Sequence, residues 1–222
     1  MRQSFWIQAV LIASLAGTAQ SQGLEQKPDL SNSSVSITRA DHKGRAALRV
    51  LDRLDVSIAN DLVQLPVGTF KDGVIEADVA GLPAEGAPEG SRGFIGIAFR
   101  VQKDPEHYEA FYLRPTNGRS DDQLRRNHAT QYIAAPDYPW QRLRKENPGV
   151  YESYVDVVPG EWIHIRIEVA GDKARLFVGK ADQPVLIVND LLGSGGGGGV
   201  ALWVGQGTDG YFSNVKVVPA VK

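Results

Sequence analysis

The sequence predicts an all-β protein built as a two-sheet antiparallel β-sandwich. From Ser31 onward, short runs of alternating apolar and polar residues recur about every ten residues, each bounded by Gly, Pro or Asp. Glycine (24) and proline (12) are abundant, as a turn-rich chain requires. Helical patterning is confined to "YPWQRLRKENP" (138–148), enough for one or two turns. The 222 residues, 42% hydrophobic and 23% charged, fit one soluble globular domain with one long loop-rich insertion.

The first stretch, "MRQSFWIQAVLIASLAGTAQSQG", sets Arg2 before an apolar run from Phe5 to Ala16. Small residues at Ala19 and Ser21 follow, which is the pattern of a secretory signal peptide over 1–21. The apolar run is shorter than the roughly 20 residues of a comfortable membrane span. We therefore expect a secreted or periplasmic protein with no stable membrane insertion after cleavage, a linker over 22–34 and the folded domain over 35–219. There is no cysteine, so the core alone must hold the fold, and thiol nucleophiles, cysteine metal sites and a lipid-anchored amino terminus are excluded. A net charge of −2 provides no global field for nucleic acid.

The candidate strands follow in order. "ALRVLD" (47–52), "LVQLPV" (62–67) and "GVIEADVAG" (73–81) come first, then the polar loop "LPAEGAPEGSR" (82–92). In "GFIGIAFRVQ" (93–102), Ile95, Ile97, Phe99 and Val101 share one face and Phe94, Gly96, Ala98 and Arg100 the other. In "HYEAFYLRP" (107–115), Phe111 and Leu113 should be core, which turns Tyr112 and Arg114 outward. If these two strands pair, Arg100, Tyr112 and Arg114 share a polar surface. "EWIHIRIEVAG" (161–171) should bury Ile163, Ile165, Ile167 and Val169 and expose Trp162, His164, Arg166 and Glu168. "ESYVDVV", "KARLFVG", "PVLIVND", "GVALWVGQG" and "YFSNVKVVP" supply further strands, with "GSGGGGG" (193–199) as a pliable turn.

Between two of these strands lies "RPTNGRSDDQLRRNHATQYIAAPDYPWQRLRKE" (114–146). Arg114, Arg119, Arg125, Arg126, Arg142, Arg144 and Lys145 outnumber Asp121, Asp122, Asp137 and Glu146. Guanidinium forks suit carboxylate or sulfate. Tyr132, Tyr138 and Trp140 offer ring faces, and Asn117, Asn127 and Gln131 can donate to and accept from hydroxyls. The blander reading is a long excursion whose arginines pair with its own aspartates and whose rings pin it to the sandwich edge.

Taken in order, "FKDGVIEADVAG", "GFIGIAFRV", "YEAFYLRP", "GEWIHIRIEVAGDKARLFVG", "GVALWVG" and the closing "YFSNVKV" resemble the concanavalin A-like, laminin-G-like jelly rolls of exported bacterial proteins. The resemblance covers roughly 35–219 and is nearest to the 3-keto-disaccharide hydrolase-like group. It implies two stacked sheets with ligands bound across a concave face or at its rim. That superfamily hosts lectins, glycoside hydrolases, lyases and adhesion modules, so fold alone does not select a function. Its laminarinase-type hydrolases carry Glu-x-Asp-x-x-Glu; here Glu76 and Asp78 keep the first spacing, but Gly81 replaces the second glutamate and breaks the motif.

The expected function is carbohydrate binding, with an acidic polysaccharide as one form of the ligand, through the segment 112–154. The binding candidates are Arg100, Tyr112, Arg114, Asn117, Arg119, Arg125, Arg126, Asn127, His128, Gln131, Tyr132 and Trp140. A glycan-degrading hydrolase or lyase on the same face is the alternative, with His128, Glu76 and Asp78 as catalytic candidates and Glu109 and Glu152 as further carboxylates. A structural or adhesion protein of the envelope is the third reading. His42, His107, His128 and His164 lack metal-ligand spacing. No cofactor is expected; Asp121–Asp122 is the carboxylate pair a calcium ion could use.

Overall fold

A computed structural model describes residues 35–52 and 62–221; the expected signal peptide (1–21) and linker (22–34) lie outside the described residues. The chain forms two antiparallel sheets. The seven-stranded sheet has the order β1 (Val35–His42), β2 (Arg45–Asp52), β13 (Thr208–Pro219), β4 (Gly73–Pro83), β9 (Ile163–Ala170), β10 (Lys173–Val178) and β11 (Leu186–Val188). The six-stranded sheet has the order β3 (Leu62–Gln64), β12 (Gly199–Val204), β5 (Ile95–Val101), β6 (Tyr108–Leu113), β7 (Thr130–Ala135) and β8 (Glu152–Ser153). The architecture is the antiparallel β-sandwich that the alternation predicts.

The inward faces follow period two. In β9, Ile165, Ile167 and Val169 are buried while His164, Arg166 and Glu168 are half-buried on the outside. Ile75, Ala77 and Val79 of β4 oppose them, and Ile95, Ile97 and Phe99 of β5 with Phe111 and Leu113 of β6 close the core from the other sheet. Phe99 stacks on Phe111 with ring centroids 6.1 Å apart, and Phe111 meets Tyr132 at 5.3 Å. Burying each such side chain contributes about 1.5–3 kcal/mol.

The 114–146 segment is more ordered than its composition implies. A single 3-10 turn (Pro115–Asn117) and the short α1 (Gln123–Arg126) lead into β7, a strand within the sheet between β6 and β8. Helix α2 (Trp140–Glu146) then buries Leu143. "ESYVDVV" yields only the two residues of β8. "GSGGGGG" is less pliable than its composition suggests: a Cβ on Gly198 would lie 2.4 Å from the Val101 carbonyl, and one on Gly193 would lie 2.5 Å from the Glu109 carboxyl.

One cross-strand row organises the outer face of the six-stranded sheet. Trp203 pairs with Gly96, Gly96 with Tyr112, Tyr112 with Gln131 and Gln131 with Glu152. The missing side chain at Gly96 lets Tyr112 and Trp203 meet above β5, their rings stacked at 4.4 Å. A Cβ there would fall 2.1 Å from the Phe111 carbonyl and 2.7 Å from the Tyr112 Cβ.

Gly96→Ala therefore requires β5 and β6 to separate. We expect it to cost at least about 1–3 kcal/mol, the range for forced overpacking, read as a lowered midpoint in chemical denaturation. An unchanged midpoint would contradict this packing.

Candidate functional site

The outer row continues into a cleft where β6 runs into the loop before β7. Arg114, Asn117, Arg125, His128, Trp140 and Arg144, with Arg92 and Phe94 from the loop before β5, line a cavity of about 360 Å³. A second cavity of about 440 Å³ shares Gly90, Phe94 and Trp140 with it and continues over Tyr112, Ile133 and Trp203. A basic chamber thus opens onto an aromatic one.

Arg114 is the centre of the chamber. It is 4% exposed, and its Nη2 donates to the Tyr112 hydroxyl and to Gln131 Oε1, both at 3.0 Å. Its Nη1 donates to the His128 carbonyl at 3.0 Å. Burial lowers its proton affinity, and Arg144 adds to that. The same burial raises the Tyr112 hydroxyl above its ordinary range, against the pull of Arg114. Among the described residues Arg125 donates only to neutral groups, Asn117 Oδ1 at 3.0 Å and Thr116 Oγ1 at 3.3 Å. Arg92 donates to the Ser91 carbonyl, and burial together with nearby Arg125 lowers its proton affinity. Among the described residues no carboxylate is in ion-pair contact with Arg92, Arg114 or Arg125. Elsewhere guanidiniums find acids, as in Arg45–Asp78, Arg49–Asp209 and Arg119–Asp156.

The acid of this site is Glu152, at the end of the row. Arg144 holds it as a fork, with Nη2 at 2.8 Å from Oε2 and Nε at 3.2 Å from Oε1. His128 Nδ1 lies 2.8 Å from Oε1, close but out of line for a good hydrogen bond. Burial lowers the His128 proton affinity below its ordinary value; Glu152 opposes this, and Arg144 and Arg114 reinforce it. Arg144 and Arg114 also lie over the Trp140 ring, at 4.7 and 5.7 Å from its centroid. Asp122 lines the same cavity, but its carboxylate caps α1 by accepting from the Leu124 and Arg125 amides.

The structure divides the sequence candidates. Arg114, Asn117, Arg125, His128 and Trp140 come together in the cleft, and Tyr112 lines the cavity that adjoins it. Gln131, expected to meet the ligand, is instead fully buried beneath Arg114, its Oε1 accepting from that guanidinium and its Nε2 donating to the Tyr132 and Tyr151 carbonyls. Arg119 is exposed and forms a fork with Asp156. Arg126 donates to the Tyr154 hydroxyl beside the cleft, and Asn127 accepts from Gln123 at the surface. Tyr132 is fully buried on the core side, donating to Glu109 Oε1 at 2.7 Å and accepting from the Leu192 amide. Arg100 does not share a surface with Tyr112 and Arg114, as the alternation alone would have it. Gly199 pairs with Val101 and Val200 with Phe99, so Arg100 is the extra residue of a bulge, with φ of 53°. Its side chain is 2% exposed and binds Glu109, Asp72 and two carbonyls.

Glu76 and Asp78 lie on β4 of the other sheet, away from the cleft. Glu76 pairs with Lys216 at 3.6 Å, and Asp78 holds Arg45, His164 and Asn214. Asp121 is exposed, and among the described residues no cluster of three or more His, Asp or Glu side chains could hold a metal ion. Arg92, Phe94, Arg144 and Trp203 were not singled out from sequence; Arg144 alone left a signal there, as part of the basic excess.

No protein-family model matches the sequence, and no curated protein matches it either. Among solved structures the chain is similar to a carbohydrate-binding module, CBM66, from Bacillus subtilis, with 15% identity, TM-score 0.49 and coverage of 82% of this chain and 94% of that one. It is also similar to a Bacillus subtilis protein with a galectin-like fold (11% identity, TM-score 0.49, 85% and 89% covered). A third is the Caenorhabditis elegans galectin LEC-6 (14% identity, TM-score 0.41, 72% and 92% covered).

Two outcomes follow from these contacts. The depressed His128 proton affinity means that folding resists protonating it: its contribution to stability is full above the unfolded-state value near 6.5 and is lost as pH falls through the lower folded value. Histidine NMR titration should show His128 below the ordinary value, and Glu152→Gln should lower it further, since Glu152 raises it. Tyr132→Phe should cost about 1–3 kcal/mol by leaving Glu109 short of a donor while ligand affinity at the cleft stays unchanged, measured by denaturation and calorimetry on one sample.

Proposed function

We propose that this chain is an exported jelly-roll module that binds carbohydrate, and that its ligand is an anionic glycan seated in the cleft of Arg114. The observation that carries this reading is the set Arg92, Arg114 and Arg125, unpaired with any described carboxylate and gathered in one cavity. Buried or crowded cations without counter-ions are costly unless a ligand supplies them. A carboxylate or sulfate would complete their forks.

The rest of the cleft suits a polyhydroxylated partner. Phe94, Trp140 and Trp203 line the adjoining cavity with ring faces, and sugar rings pack on such faces while their hydroxyls reach the guanidiniums of the chamber. The charge is local: the chain as a whole carries −2, which argues against a general polyanion surface. Export is supported by the amino-terminal sequence pattern.

Calorimetry with oligogalacturonate or oligoalginate, beside neutral oligosaccharides of equal length, tests the reading. The acidic oligomers should bind and the neutral ones should not compete. Arg125→Ala should weaken binding roughly ten- to a hundredfold, the worth of a charge-assisted hydrogen bond, and rising salt should weaken it further. Equal affinity for acidic and neutral oligomers would overturn the anionic assignment.

A further inference from the structure

We propose that the cleft also cleaves its glycan, by β-elimination at a uronate unit, with His128 as the base. This rests on the preceding reading that an acidic glycan occupies the cleft, and it adds a reaction to it.

The surroundings of His128 set a fixed carboxylate beside one of its ring nitrogens. Its Nδ1 is buried against Glu152 Oε1 at 2.8 Å, and Glu152 is fixed in turn by the Arg144 fork and by its pairing with Gln131. A carboxylate at Nδ1 favours the tautomer that keeps the proton there and leaves a lone pair on Nε2. The ring lines the cavity, and Nε2 has no hydrogen-bond partner among the described residues, so this nitrogen is left to the ligand. Burial and the neighbouring guanidiniums of Arg144 and Arg114 favour the neutral ring against Glu152, so the base form is the one present near neutral pH.

The arginines complete the chemistry. The hydrogen on C5 of a uronate is adjacent to its carboxylate, and guanidiniums paired with that carboxylate stabilise the negative charge that develops as the proton leaves. His128 Nε2 takes the C5 proton, and the electron pair of that C–H bond forms the C4=C5 double bond. The C4–O bond breaks, its electron pair going to the bridging oxygen, which recovers a proton from the His128 imidazolium. The products are an unsaturated uronate and a new reducing end, and no water or oxidant is consumed. Hydrolysis fits the site less well. It needs two carboxyl groups placed across the bond, whereas Glu152 is occupied by Arg144 and His128 and Asp122 caps a helix.

The test is incubation of the purified protein with polygalacturonate, alginate and hyaluronan, following ultraviolet absorbance of the conjugated double bond and product mass. The expected result is absorbance growing with at least one polymer and fragments whose masses sum to the substrate without added water. His128→Gln should still bind the oligosaccharide but lose at least about a hundredfold in rate. Glu152→Gln, a change at a positioning residue, should move the acid limb of the pH–rate profile to lower pH. Binding without unsaturated products from any of the three polymers would overturn elimination and leave the binding reading standing. Fragments carrying an added water, or full activity in His128→Gln, would overturn it as well. Failure to bind any acidic oligomer would overturn both readings.

Discussion

The outer half of this molecule is arranged around a buried cation that touches no acid among the described residues. Arg114 is 4% exposed, yet its partners are a phenol, an amide and a carbonyl. Three neutral acceptors solvate the guanidinium but do not cancel its charge, and in a low-dielectric pocket that remainder is felt strongly. Its reach dictates much of what surrounds it. Tyr112 and Gln131 must face outward on adjacent strands at the same level, and the His128 carbonyl must return to the sheet just before β7 begins. The Tyr112–Gly96–Trp203 packing then follows, since the tyrosine that Arg114 holds leans over a glycine onto the next strand's indole.

A second polar centre occupies the opposite side of the same strands. Arg100, Glu109 and Tyr132 form a buried chain that also ties in Asp72 and the Leu192 amide. Here the cation meets carboxylates and every group has its partner, as expected for structural polar groups in a core. The contrast separates a frame from a site. In the frame an arginine meets its glutamate; in the cleft Arg92, Arg114 and Arg125 are in ion-pair contact with no described carboxylate, and Glu152 is taken up by Arg144 and His128.

Period two made most of the fold legible. In β4 up to Val79 and in β9 from His164 to Val169, local alternation and burial agree residue by residue, because each strand has one face in the core; β5 is buried along its whole length, so there only the facing of side chains follows the alternation. The bulge at Arg100 escaped notice because it depends on where β12 comes to lie, and no pattern within β5 records it. Strand β7 was hidden by its neighbours. Thr130, Tyr132 and Ile133 suit a strand, but they follow a highly polar stretch, and their pairing with β6 and β8 spans loops whose length no local pattern fixes. For the cleft, arginine and amide content pointed to the segment that lines much of it and to Arg114, Asn117, Arg125, His128 and Trp140. It could not say that Arg119 is tied to Asp156, or that Arg92 and Phe94 reach in from a loop some twenty residues earlier.

Gln131 and Tyr132 are neighbours in the chain and strangers in space, one beneath Arg114 on the outer side of the sheet and the other in the core. The same division holds for Phe111 and Tyr112 on the strand beside them. Genetic change can therefore act on the two faces of one strand under different pressures. Substitutions at 112 and 131 are filtered by whether Arg114 keeps its seat, and those at 111 and 132 by whether the sandwich stands. A lineage carrying this sheet could reshape its outer face by rewriting alternate letters of β6 and β7 while leaving its foundations in place.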